Sequence, residues 1–320
     1  MEREKRIKSG GLLEIDFYPV KEGGQRIPTR APKSEPSRQE QTEYNQRQAT
    51  KKMIRLVNCN FDSSDYYIAL TYPSSSSPQT EDEARKDMVN FLRRVKTRRE
   101  REVKALNKKL KQAQEALKAL DNNSFIESEI IKLKADIKKL KADFKYIYVL
   151  ECVTYKSGRY AGKKNFHFHM FMTGGLSPKV IEDIWGHGGI KCENFAPDKY
   201  GLESAAAYMC KDPKGRKRFV YSRNLKKPIE SKPKDGHISP NTVAKMATQR
   251  VDDAGYWERR YRGYRFVRCY SRFNNYNGQW YVSVVMYKKT DSPSYCTEWN
   301  IDDWITSDYI ERRKNARQNC

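Results

Sequence analysis

The chain has 320 residues, with 63 Lys and Arg against 40 Asp and Glu, for a formal net charge of +23. A protein this cationic either binds polyanions or must avoid them, and the lack of an apolar run of membrane length or of a signal peptide argues against membranes. Seven Cys, an odd number with no CxxC pair, fit reduced thiols in a cytosol better than disulfides or a zinc site.

Residues 1–52 are rich in Lys, Arg, Glu, Gln, Ser and Pro and read as a mostly flexible basic arm, in which Leu12–Tyr18 could pair as an edge strand. Met53–Cys59 and Tyr66–Tyr72 then read as two strands with Phe61–Asp65 turning between them, and the Ser/Pro-rich stretch from Pro73 to Pro78 reads as a connector. From Glu81 a helix begins. Its apolar positions Met88, Leu92, Val95, Val103, Leu106, Leu110, Ala113, Leu117 and Leu120 form a heptad stripe that Arg99 interrupts. Asp121-Asn122-Asn123 breaks the helix, and Ser124-Phe125-Ile126-Glu127 reads as a capping box opening a second one. Together they predict an antiparallel coiled-coil helical hairpin inserted over residues 80–144. Its use is open between self-association or helicase docking, a basic rail for DNA, and merely solvated faces.

Lys145–Thr154 reads as an apolar strand carrying a single acid, Glu151, and Tyr155–Gly162 as a hairpin connection. In the next strand, Asn165–Met172, apolar residues and His alternate with period two, and Thr173-Gly174-Gly175 ends the run. On a strand, i and i+2 share a face, so His167 and His169 project together while Phe166, Phe168 and Met170 line the other side. With Glu151 on the preceding strand they make a three-ligand site with open positions for a divalent ion. Two satisfied surface histidines are the plainer alternative.

Ser177-Pro178 opens a short helix to Trp185. His187, among glycines, reads as a surface turn residue, and Ile190–Phe195 as a strand. Ser204–Lys211 reads as a helix with Tyr208 and Lys211 on one face; Tyr208 is either a packed aromatic or, beside a metal triad, a nucleophile aimed at a metal-polarised phosphate. The segment from Arg216 to Lys234 is densely basic, and Arg216, Lys217, Arg218, Arg223, Lys226 and Lys227 would hold several phosphates. Ser239-Pro240 opens a further helix. Tyr256–Arg265 interleaves aromatic and cationic residues, as a single-stranded nucleic-acid platform or as a helix with one face in the core. Phe266–Phe273 and Gln279–Lys288 flank Asn277-Gly278, a hairpin signal, and Ile301–Trp304 starts a last short helix.

His-hydrophobic-His on a strand, followed by Tyr208-x-x-Lys211 on a helix, resembles the HUH endonucleases, specifically the single-tyrosine rolling-circle replication initiators of phages, plasmids and small single-stranded DNA viruses. Ala69-Leu70-Thr71-Tyr72 is similar to the family's first motif, and Tyr221–Pro228 to a segment common after the third motif. The resemblance spans residues 54–228 apart from the insertion. It implies an α+β fold with an antiparallel sheet of about five strands flanked by helices, and Mg²⁺ or Mn²⁺ held by His167, His169 and an acid, for which Glu151 is the candidate. It also implies a 5′-phosphotyrosyl intermediate on Tyr208 with a free 3′-OH. Lys211 would stabilise the phenolate or the scissile phosphate, or only contact the DNA backbone, and Thr71 would lie at the DNA. Ser204 and Asp212 stand where a second nucleophilic Tyr would be needed, so one nucleophile is expected, with Tyr200 and Tyr221 as runners-up.

The nearest thing to a phosphate-binding loop, Gly158–Lys164, has one residue too few between its glycines and no Ser or Thr after the Lys. Strand separation would then come from a host helicase, with a host polymerase, acting on an origin hairpin or on DNA already single-stranded in a bacterial cytosol. A single-tyrosine transposase fits less well, being usually smaller and without long tails. A non-catalytic basic DNA-binding protein is the remaining alternative.

Overall fold

The structure is a computed structural model that describes residues 1–28, 38–119, 123–157, 159, 161–194, 202–209 and 218–289. The chain runs β1 (Glu2–Ser9), β2 (Leu12–Pro19), α1 (Arg38–Asn60), β3 (Tyr66–Thr71), α2 (Glu81–Ala119), α3 (Ser124–Lys141), β4 (Tyr146–Thr154) and β5 (Lys164–Met172). It continues through α4 (Pro178–Trp185), β6 (Ile190–Asn194), α5 (Glu203–Met209), β7 (Val220–Tyr221), β8 (Ile229–Glu230) and β9 (Lys234–Asp235), then α6 (Pro240–Gln249), α7 (Ala254–Arg260), β10 (Tyr264–Asn274) and β11 (Gln279–Lys288). The fold is α+β with antiparallel sheets. Among the described residues no helix is long and apolar enough to cross a membrane.

Two compact units emerge. The first takes the described residues within Met1–Asn60, Ala196–Cys210 and Leu225–Trp299, the second those within Phe61–Phe195 and Lys211–Asn224.

In the first unit the sheet order is β10-β11-β2-β1-β8, with β9 also pairing β1. Leu13, Ile15 and Phe17 on β2 and Val282, Val284 and Met286 on β11 face Val243 and Met246 of α6 and the fully buried Trp257 of α7. Residues 1–20, expected within a flexible arm, are therefore a β-hairpin, and β2 is an internal strand rather than an edge. What replaces apolar alternation in the polar β1 is cross-strand charge pairing, Arg3 with Asp235 at 2.6 Å and Lys5 with Glu230 at 2.7 Å. Gly10 turns the hairpin at φ +59°, where a Cβ would meet the Asn58 carbonyl oxygen of α1, so only glycine fits. Asn277-Gly278 closes the β10–β11 hairpin as expected, and β11 of that hairpin pairs with β2.

Met53–Cys59, expected as a strand, lies in α1. Its buried Met53, Ile54, Val57 and Asn58 recur at helical spacing, and a short apolar run cannot tell a strand from a buried helix segment. The Tyr256–Arg265 segment is no open platform, because Trp257 and Tyr261 are buried in the first unit's core.

The second unit carries a five-stranded antiparallel sheet in the order β6-β3-β5-β4-β7. One face, with Tyr66, Ile68, Leu70, Tyr148, Leu150, Phe166, Phe168 and Met170, packs against Met88, Phe91 and Val95 of α2 and Ile181 and Trp185 of α4. Each side chain as deeply buried as Phe168 contributes about 1.5–3 kcal/mol. α4 begins and ends as expected, with Ser177 accepting from the Val180 amide, Pro178 in the first turn and Gly186 left-handed at the end. Helices α2 and α3 pack on one another through a stripe that includes Ile130, Leu133, Ile137 and Leu140 of α3. The α3 cap is Asn123, one residue before the expected Ser124: its side chain accepts from the Phe125 and Ile126 amides, and Asn caps as well as Ser.

Arg99, which interrupts the α2 stripe, is 4% exposed. Its guanidinium donates to the carbonyls of Lys139 (3.3 Å), Leu140 (3.0 Å) and Ala142 (3.2 Å) at the end of α3, and to Gly174 (2.5 Å) just past β5. A helix end leaves its last carbonyls without intrahelical donors and carries partial negative charge. Arg99 meets both needs from a neighbouring helix.

Candidate metal centre

Directly opposite residues of an antiparallel pair share a face, and the register of β3, β5 and β4 makes three rows of them. Thr71, His167 and Glu151 form one; Ala69, His169 and Val149 the next; Tyr67, Phe171 and Ile147 the third. All lie on the face opposite the α2–α4 core. The period-two pattern of β5 thus sends Phe166, Phe168, Met170 and Met172 one way and both imidazoles, with Phe171, the other.

Glu151 Oε2 lies 2.7 Å from His167 Nε2 and 3.6 Å from His169 Nε2. Both His are 7% exposed, and Glu151 is half-buried. Burial alone drives the Glu151 carboxyl upward, and the hydrogen bond with His167 together with the neighbouring His169 ring outweighs it, holding the group below the usual carboxylate range. The acid is therefore ionised and available as a ligand.

The donor set fits a divalent ion. One ligand atom from each of the three residues lies within 4.8 Å of the others, and ligands about 2.1 Å from a common ion sit about 3–4 Å apart, a side-chain adjustment away. Tyr67 completes the arrangement: its hydroxyl is 2.9 Å from His169 Nδ1. In the tautomer with the proton on Nδ1, the ring donates to the phenol oxygen and Nε2 presents its lone pair on the Glu151 side. Sequence reading missed Tyr67, although Tyr67, Ala69 and Thr71 alternate along the strand beside the His pair. Tyr67→Phe keeps the edge-on ring contact with Phe171 and removes the hydroxyl, so its affinity for Mn²⁺ should drop about 10- to 100-fold in a calorimetric titration. An unchanged affinity would assign the hydroxyl to packing alone.

The other expected site residues are distributed as follows. Thr71 ends β3 with its amide and hydroxyl both donating to the Gly189 carbonyl, at 2.9 and 3.1 Å. Tyr208 is half-buried on α5, which packs on α1 in the first unit, where the Leu202 amide donates to Asn58 Oδ1. Lys211, Arg216 and Lys217 lie outside the described residues, as do Tyr200 and the helix expected from Ile301. Half-buried Arg218 and exposed Arg223 flank β7 in the second unit. Exposed Lys226 and Lys227 belong to the first, with the Lys226 backbone bonded to Asn60 in both directions. Tyr221 shares the metal-bearing face, but it pairs with Ile147, four positions along β4 from Glu151 and about 13 Å away at about 3.3 Å per residue. That distance excludes direct contact between its hydroxyl and an ion at the triad.

Comparison with models of protein families, with curated proteins and with solved structures finds no match.

Proposed function

We propose that this protein is a metal-dependent DNA nicking and closing endonuclease of the HUH type, a single-tyrosine initiator of rolling-circle replication acting on single-stranded origin DNA. The observation that carries this reading is the Glu151, His167 and His169 group on adjacent strands of a five-stranded antiparallel sheet. Two imidazoles and one carboxylate leave coordination positions open to a phosphate oxygen. Mg²⁺ or Mn²⁺ held there supplies polarisation of the scissile phosphate. The packed α2–α3 pair is read as a coiled-coil hairpin inserted into that fold.

In this reading the Tyr208 phenol oxygen attacks phosphorus. A phosphotyrosyl bond forms at the 5′ side, the bond to the 3′ oxygen breaks, and the phenol proton ends on the released 3′-OH. One phosphodiester replaces another, so attack by a 3′-OH reverses the step and rejoins strands. Lys211 stabilises the phenolate or the phosphate, and Thr71 with the basic residues between Arg216 and Lys227 holds the strand. A host helicase and polymerase complete replication in a bacterial cytosol.

The test is incubation with labelled single-stranded DNA carrying candidate origin hairpins, with Mn²⁺ or with EDTA, resolved on denaturing gels. Wild type should give a metal-dependent covalent adduct, and Tyr208→Phe should give none, with cleavage down by at least about 1000-fold as expected for loss of a nucleophile. Cleavage that persists in Tyr208→Phe would move the nucleophile elsewhere. Absence of cleavage on every substrate would favour a DNA-binding protein without catalysis.

A further inference from the structure

The outer face of α2 carries a row of cations that the nicking reading does not use. Lys86, Arg93, Arg94, Arg101, Lys104 and Lys108 are all exposed, and successive spacings of seven, one, seven, three and four residues keep them within about 100° on one side of the helix. The buried Met88, Phe91, Val95 and Arg99 occupy the other side.

Acids are abundant on α2, and of these Glu100, exposed and four residues before Lys104, borders the row. Glu81 and Glu102 are engaged by Arg85 and Arg98 at 2.7 Å, and Asp87 accepts from the Tyr72 hydroxyl. Among the described residues none of the six cations makes an ion pair. Like charges at helical i, i+3 and i+4 spacing repel, so such a row costs stability unless a polyanion neutralises it.

Length and stiffness identify the polyanion. From Lys86 to Lys108 the row runs about 33 Å at about 1.5 Å per residue, nearly parallel to the helix axis. Duplex DNA keeps a straight, stiff axis over that distance, about ten base pairs at about 3.4 Å each, so the row meets its two winding backbones where they cross that side. A single strand would first have to be straightened. The six charges span an arc of about 100° at about 3.6 residues per turn, with Lys86, Arg93 and Lys104 on one side and Arg94, Arg101 and Lys108 on the other.

We infer that the exposed face of α2 is a docking surface for the backbone of duplex DNA, independent of sequence. It requires neither Tyr208 nor the metal centre, so it stands or falls separately from the nicking activity.

The experiment is fluorescence anisotropy of labelled 20-base-pair duplex and 20-nucleotide single strands against the full chain across a salt series. Arg93→Ala/Arg101→Ala/Lys104→Ala/Lys108→Ala removes four charges with the best helix former. Duplex affinity should fall at least about tenfold, and the slope of log affinity against log salt should shrink by roughly 3–4, or about 0.9 per lost phosphate contact. Single-strand binding should hold within about twofold. The charge-keeping variant Arg93→Lys/Arg101→Lys/Lys104→Arg/Lys108→Arg should bind duplex like wild type, which separates loss of charge from loss of fold. An unchanged duplex slope in the alanine variant overturns the assignment. So does an equal loss for single strands, which would make the row a general polyanion surface.

Discussion

Titration of Mn²⁺ into His169→Ala protein should show an affinity at least about 100-fold below wild type, because loss of a ligand costs no less than the upper end of what loss of its supporting hydrogen bond costs. Three donors define the centre, with Glu151 Oε2 between two Nε2 atoms at 2.7 and 3.6 Å. Removing one imidazole leaves a monodentate carboxylate and a single nitrogen, a pair that is common on protein surfaces and rarely holds an ion. Alanine at 169 also removes the ring nitrogen that meets the Tyr67 hydroxyl. Glu151→Gln should act in the same direction, replacing an ionised ligand with a neutral one and leaving a cation beside two neutral rings. His187→Ala serves as the control: that ring faces Tyr72 and Trp185, with Asp87 at 3.9 Å, and its loss should leave the titration intact. If His169→Ala binds Mn²⁺ as wild type does, the ion sits elsewhere and the metal reading of this face is wrong.

The second large effect lies away from the metal. Arg99→Met keeps an unbranched side chain of similar reach but removes the guanidinium from the carbonyls of Lys139 and Ala142 and from the buried bonds to Leu140 and Gly174. Hydrogen bonds from a charged donor are worth about 1.5–3 kcal/mol each, and their losses are not additive at one site. The expected cost is about 3 kcal/mol. Burial lowers the Arg99 pKa, and the nearby Asp65 carboxylate opposes that shift. The substitution therefore also takes one positive charge from the neighbourhood of the buried Asp65, where Lys139 remains. For a unit of this size the midpoint of helix unfolding, followed by circular dichroism, should fall by roughly 6–12 °C. A shift under about 2 °C would show that water replaces the guanidinium without loss.

The metal-bearing strands were legible because their chemistry is local. The alternation in Asn165–Met172 assigns two imidazoles to one face whatever lies around it, and Glu151 on the neighbouring strand needed only a hairpin to arrive opposite His167. α2, α3 and α4 were legible for the same reason, through heptad spacing and a Ser-Pro start. β1 was not, since Arg3 and Lys5 acquire their meaning from Asp235 and Glu230, more than 220 residues later. Arg99 looked like a flaw in a hydrophobic seam, because its partners are backbone carbonyls, which no side-chain pattern reveals. Tyr67 needed the register between β3 and β5 to show which ring its hydroxyl meets.

The pairing of β2 with β11 joins positions some 270 residues apart, Phe17 with Val282 and Leu12 with Tyr287. During synthesis the ribosome therefore releases every strand of the metal-bearing sheet well before it supplies β10 and β11. Until then Leu13, Ile15 and Phe17 have no partner strand on that side, and the nascent chain displays an unpaired, apolar β edge of the kind that recruits other chains. A product cut short after residue 260 would keep the complete Glu151–His167–His169 sheet and still be prone to aggregate. The C-terminal hairpin thus acts as the closing clasp of biosynthesis, and soluble yield on shortening the gene from its 3′ end should fall abruptly where β11 is lost.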